Sequence, residues 1–88
     1  MSYTIRYLKE VITDDIPRLS KSAKELIKRA IEERLCVDPV SFGKPLQYGL
    51  RGQRRLRVSS YRIIYRIDQD KKEVVIVAIA HRKNVYEQ

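Results

Sequence analysis

The stretch "LRVSSYRIIYR", Leu56 to Arg66, decides how the chain folds, because it holds two runs of alternating apolar and basic residues around a Ser-Ser pair. Alternation of period two is the signature of a strand with one buried face, and a two-residue separator fits a β-hairpin. With Ser59 and Ser60 as the turn, Val58 faces Tyr61, Arg57 faces Arg62, Leu56 faces Ile63 and Arg55 faces Ile64. Directly opposed residues share a face, so the arginines gather on one side. Leu56, Val58, Tyr61, Ile63 and Tyr65 form the other, which is a surface for helices.

The charge on this hairpin is unusual for a merely solvated sheet. Between Arg51 and Arg66 stand six arginines, and from Pro39 through Ile67 there is no carboxylate. Like charges opposed across a ladder are destabilising, so Arg57 against Arg62 is better tolerated where an anion lies between them. Solvent-facing strands do carry Lys and Arg to protect their edges, but they usually mix in acidic and neutral polar residues. Arginine's planar fork grips phosphate oxygens in pairs and keeps its charge at any working pH. The hairpin therefore reads as an anion-binding floor, with Arg51, Arg54, Arg55 and Arg57 as candidate phosphate ligands.

The rest of the chain supplies the frame. "SYTIRYL" alternates as a first strand, and a first helix through Val11, Ile12 and Ile16 should stop near Pro17. "SAKE" at 22 to 25 reads as a capping box, with Ser22 as the N-cap. It opens a second helix whose apolar stripe is Ala23, Leu26, Ile27, Ala30, Ile31 and Leu35. "CVDPVSFGKPLQYGL", with two prolines and two glycines after its opening Cys36-Val37-Asp38, reads as a connecting loop. Three strand-like runs follow, around 54 to 58, 61 to 67 and 73 to 80. The expectation is one α+β domain over residues 1–88 in the order β-α-α-β-β-β, a helical hairpin packed on one face of a largely antiparallel four-stranded sheet.

Composition narrows the partners. A net charge of +8 over 88 residues, from 19 Lys and Arg against 11 Asp and Glu, points to a polyanion such as nucleic acid, an acidic protein or an anionic surface. The single cysteine, Cys36, cannot form an internal disulfide and reads as apolar filler near a helix end. No segment approaches the roughly 20 apolar residues of a membrane span, and no signal-peptide run is seen, so a cytoplasmic protein is expected. The second helix is mixed in sign on its polar face, which argues against a membrane-surface role.

The chain closes on "VVIVAIAHRKNVYEQ", in which His81, Arg82 and Tyr86 follow the last strand run. A titratable imidazole, a fixed cation and a phenol beside a basic hairpin are the parts of a metal-independent ribonuclease. Such chemistry needs a base at the ribose 2′-hydroxyl, a proton for the leaving 5′-oxygen and cations for the phosphoryl charge. The hairpin has no carboxylate to act as base, so His81 and Tyr86 are the candidates. His81 titrates near neutrality by default, whereas Tyr86 would need its pKa lowered from about 10.

The runs "FGKPLQYGLRGQRRLRVSSYRIIYRI" at 42 to 67 and "VAIAHRKNVY" at 77 to 86 resemble the RelE/ParE superfamily of toxins, and within it the RelE-like mRNA interferases. The resemblance spans nearly the whole chain. It implies a RelE-like (microbial RNase-like) fold and the toxin of a type II toxin-antitoxin system. It further implies a ribosome-dependent endoribonuclease that cuts mRNA in the decoding site, inhibits translation, needs no cofactor, and is neutralised by a co-expressed antitoxin protein.

Carried over by position, Arg55 and Arg57 resemble the basic pair that holds substrate phosphates. Arg62 resembles the arginine on the scissile phosphate, Arg82 the C-terminal arginine that assists the leaving group, and Tyr86 the terminal catalytic tyrosine. Some members have lysines where this chain has Arg55 and Arg57; a lysine can be tuned to act as a base and an arginine cannot. The antitoxin is expected to bring an acidic or amphipathic segment that folds on binding. Two further readings stand beside this one: a ParE-like DNA gyrase inhibitor, against which "HRKNVY" argues, and a non-catalytic basic nucleic-acid-binding module.

Overall fold

The computed structural model describes residues 2–46 and 52–81. Its sheet is built on the hairpin. Strand β3 (Gln53–Val58) pairs antiparallel with β4 (Tyr61–Asp68) in the register read from the sequence, with Val58 against Tyr61, Arg57 against Arg62 and Leu56 against Ile63. Ser59 makes the turn with φ of 56°, a left-handed conformation that non-glycine residues seldom adopt. Strand β5 (Glu73–His81) pairs antiparallel with β4, and β1 (Thr4–Tyr7) runs parallel along β5. Between Ile64 and Tyr65 the β4–β5 register shifts, because β5 carries one extra residue between Ile76 and Ala78. That bulge keeps Val74, Ile76 and Ile79 on the same buried face.

The α+β class is as expected, but a one-turn helix and a short strand, β2 (Lys44–Pro45), are inserted into the β-α-α-β-β-β order, so among the described residues the sheet has five strands, in the order β1-β5-β4-β3-β2, where four were expected. The additional strand is β2, only Lys44–Pro45, which pairs with Arg55 and Arg54 inside the segment read as a plain loop. The same segment holds a one-turn helix α3 (Pro39–Phe42), with Asp38 accepting from the Ser41 amide at 3.2 Å. Asp at the N-cap and Pro at the first helical position are the ordinary start signals for such a turn.

Two helical segments cover one face. The first, α1, is a wide turn at Val11–Asp15 closed by a 3₁₀ turn at Ile16–Arg18, and it ends at Arg18, next to Pro17, close to where the sequence predicts. The second, α2, spans Lys21–Ala30 and runs into a π-type turn at Ile31–Leu35. Its N-cap is Ser20 and not Ser22: the Ser20 hydroxyl accepts from the Ala23 amide at 3.1 Å. The backbone is extended at Leu19 and Ser20 and already helical from Lys21, so Ser22 falls inside the first turn, where it cannot cap. Ala23, Ile27, Ala30, Ile31 and Leu35 are buried as expected, while Leu26 remains 40% exposed. The core they form with Leu56, Val58, Ile63 and Tyr65 lies between helices and sheet, and among the described residues no helix covers the opposite face of the sheet.

Candidate nucleic-acid interface

Pairing fixes which side chains share the uncovered face. Arg57, Arg62 and Ala80 lie in one row across β3, β4 and β5; Lys44, Arg55, Ile64 and Ala78 lie in the next across β2 to β5. A third row holds Gln53, Arg66, Val75 and Arg6. Arg6 is joined to Glu73 at 3.2 Å, an exposed ion pair of small energetic weight. The alanines on β5 keep the floor low beside Arg62, so the face is a shallow, cationic platform. Arg57 is exposed and Arg55 and Arg62 are half-buried.

Arg54 is placed differently from the phosphate ligand expected of it. It faces Tyr65 across the ladder, and so points to the helix side, where its Nη2 donates to the carbonyls of Val40 at 2.6 Å and Gly43 at 2.8 Å. The strict alternation that sends Arg55 and Arg57 outward necessarily sends Arg54 inward. Tyr65, fully buried, donates its hydroxyl to the Pro39 carbonyl at 2.6 Å. Burial pushes the Tyr65 pKa up, while the hydrogen bond and charge of Arg54 pull it partly back. Gly43 is buried so tightly against this pair that an added Cβ would overlap Tyr65 Oη. Two strands thus clamp the 38–45 segment through side chains, and Asp38, whose pKa is lowered by its bonds to the Ser41 hydroxyl and amide, caps the turn within it.

His81 also lies on the helix side. It is the ladder partner of Tyr61 and meets that ring edge to face, with centroids 5.2 Å apart and planes at 83°. The surrounding hollow, about 430 Å³, is lined by Asp15, Arg18, Leu19 and Tyr61 with the end of β5. Asp15 Oδ2 accepts from the Ile79 amide at 2.9 Å, where β1 has already ended and β5 would otherwise have an unpaired donor. The imidazole and Arg62 therefore leave the sheet on opposite faces near its end. Arg51, Arg82 and Tyr86 lie outside the described residues.

The structure brings in residues that the sequence reading passed over. At the outer edge, where two-residue β2 leaves β3, a cleft of about 320 Å³ is lined by Arg34, Phe42, Lys44, Arg55, Leu56 and Arg57. Four of these six are cations and none is acidic. Asp-Pro at 38 and 39 was the available signal that this segment is structured; nothing in the sequence ties Arg34 to it. On the other side, Ile5, Tyr7, Ile16, Leu19, Ile27 and Ile31 line an apolar groove of about 400 Å³ between the helices and β1. Among the described residues, no group of His, Cys, Asp and Glu is arranged to hold a metal ion, and no helix is long and apolar enough to cross a membrane.

An α+β domain whose helices cover one face of the sheet and whose arginines line the other is a fold shared with toxins of toxin-antitoxin systems. The chain belongs to the RelE/ParE family of toxins of type II toxin-antitoxin systems: residues 5–86 match the family model described as the ParE toxin of the type II toxin-antitoxin system parDE. It is 33% identical to Toxin RelG of Mycobacterium tuberculosis over 89 residues, covering 98% of each. It is also similar to the toxin-antitoxin complex RelBE2 of the same organism, with 30% identity, a TM-score of 0.86, and 96% of this chain and 95% of that one covered. The isolated RelE toxin of Escherichia coli shares the fold at 17% identity and a TM-score of 0.74, covering 91% of this chain and 84% of that one.

Proposed function

We propose that this toxin is an endoribonuclease of the RelE type, which cuts mRNA in the ribosomal decoding site by attack of the ribose 2′-oxygen on the adjacent phosphorus. The observation that carries the reading is Arg57 directly opposite Arg62 on a cationic face that no helix covers among the described residues. An extended RNA backbone laid along that face would put a phosphate between them, relieving the like-charge pair and receiving two guanidinium forks. As charge builds on the phosphoryl oxygens, fixed donors of this kind are worth roughly 3 kcal/mol each. Arg55 would hold the neighbouring phosphate. Arg54 has a different part in this account: it positions the 38–45 segment.

The base and the acid come from the C-terminal groups. Arg82 and Tyr86 are the residues that the family resemblance puts at the leaving group and at the 2′-hydroxyl. His81 is the alternative base, but from the helix side it reaches the arginine face only if the substrate wraps around the end of β5. This apparatus has few strong acids or bases, so positioning by the ribosome supplies much of the rate; oriented reactants can account for roughly 7 to 11 kcal/mol of a barrier. Naked RNA is therefore a poor substrate. Metal ions have no part in the proposed step.

The partner that restrains the toxin is inferred to be an antitoxin with an acidic or amphipathic segment. The structural relative RelBE2 was solved as a toxin-antitoxin complex, which supports this assignment. The apolar groove beside β1 and the basic face are the two surfaces such a segment would cover. The test of the activity is purified toxin on ribosomes programmed with a defined codon, with mRNA ends mapped and Arg62→Ala and Tyr86→Ala run alongside. Cleavage in that codon that leaves a 2′,3′-cyclic phosphate and is lost in both variants is the expected result. The ParE description of the matching family favours one other reading, inhibition of DNA gyrase. Intact mRNA with loss of DNA supercoiling would establish it instead.

A further inference from the structure

The cleft at the β2–β3 edge has features that the arginine face alone does not explain. Its walls come from three separate elements: Arg34 from the last turn of α2, Phe42 and Lys44 from the 38–45 segment, and Arg55 and Arg57 from β3. The 38–45 wall is held by the Tyr65 and Arg54 hydrogen bonds to Pro39, Val40 and Gly43, and by Asp38 on Ser41, so it is a preorganised surface. Phe42 nevertheless stays 49% exposed at its rim, although a phenyl ring gains by burial. Because β2 pairs with only Arg54 and Arg55, the side of β3 from Leu56 onward opens directly into the cleft.

A half-exposed aromatic ring set among cations, in a concave site at the lower end of ligand-pocket volumes, matches single-stranded nucleic acid: a ring for a base face and cations for the backbone. We propose that this cleft is a nucleotide subsite for the RNA strand next to the cleaved position. The base stacks on Phe42, and its phosphate lies between Arg34 and Lys44. Arg57 is common to the cleft and to the Arg57–Arg62 pair, so one continuous track carries the strand around the edge of the sheet. Sequence tolerance at this position follows, since every base has a face to stack and the cleft lining supplies no acidic acceptor to select among base edges. The inference rests on the RNA reading above and extends it by one nucleotide.

The test uses the full-length toxin and a short 2′-O-methyl single-stranded RNA, which lacks the attacking hydroxyl and stays intact. Amide shifts are mapped by NMR, and affinity is measured for wild type, Phe42→Ala and Arg34→Ala, and for the same oligonucleotide with one base removed. Shifts at Arg34, Phe42 and Lys44 together with Arg57 and Arg62 are expected. Phe42→Ala should weaken binding by about ten-fold and abolish the difference between the intact and abasic oligonucleotides. Shifts confined to Arg57 and Arg62, with Phe42→Ala binding as wild type does, would overturn the subsite and leave the RNA reading standing. No shift on either surface, with the protein folded, would overturn both. Phe42 and Arg34 are exposed, so neither truncation threatens the fold.

Discussion

Removing one oxygen from Tyr65 tests whether the 38–45 segment is held as described. In Tyr65→Phe the ring stays in the core, and the bond from its hydroxyl to the Pro39 carbonyl, 2.6 Å in the wild type, is lost. Pro39 is fully buried, so its carbonyl loses a partner in a place where water does not readily replace it. The cost of an unpaired buried group is about 1–3 kcal/mol. For a domain of this size each kcal/mol lowers Tm by roughly 4–8 °C. Chemical denaturation gives the energy, and amide exchange at Ser41, Phe42 and Gly43 should accelerate more than exchange in β4. The pH dependence has a definite sign. Burial raises the Tyr65 pKa in the folded state, so its contribution is complete below the unfolded value of about 10 and is lost as pH rises through the folded value. The stability gap between wild type and Tyr65→Phe should be flat up to about pH 10 and shrink above it; Tyr7, whose pKa burial also raises, is present in both and cancels. A variant within 0.5 kcal/mol of wild type, by order of magnitude the scatter of neutral surface changes, with unchanged exchange at 41–43, would refute the clamp.

Gly43→Ala should destabilise strongly, because its Cβ would overlap Tyr65 Oη and approach the Arg55 carbonyl to 3.0 Å. In the Tyr65→Phe background the loss should be smaller, giving a coupling on the order of 0.5–3 kcal/mol in a double-mutant cycle. Asp15→Ala strips the acceptor from the Ile79 amide and should cost about 1–3 kcal/mol in thermal unfolding, with faster exchange at that amide. Arg57→Ala should reduce the salt slope of single-stranded RNA binding by roughly 0.7, the share of one phosphate contact.

The hairpin was readable because two constraints acted together on few residues. Alternation fixed which side chains share a face, and the two-residue turn fixed the register, so the Arg57–Arg62 pair followed from counting. The same counting assigns Arg54 to the inner face with Leu56, whereas its charge alone groups it with the phosphate ligands. Burying a guanidinium is costly unless its donors are used, and the acceptors for it, the carbonyls of Val40 and Gly43, come from a segment 11 to 14 residues away whose sequence has the look of a loop. A two-residue strand containing a proline carries no periodicity, so β2 had no pattern from which to be found.

The cap of α2 was ambiguous for a related reason. Ser20 and Ser22 both precede helix-like residues, and the choice between them depends on where Leu19 and Ser20 leave the extended conformation. That is decided by how α1 and α2 pack, not by local chemistry. The site divides in the same way. Its floor is local, formed by neighbours along two adjacent strands. Its edge is not, since Arg34, Phe42 and Arg57 meet only after α2 has crossed the sheet and α3 has been tied down by Tyr65. A side chain without charge, buried in the core, therefore controls the shape of a cationic surface it does not line, which is why a phenylalanine at position 65 is expected to loosen that surface while leaving Arg55, Arg57 and Arg62 on the outer face in place.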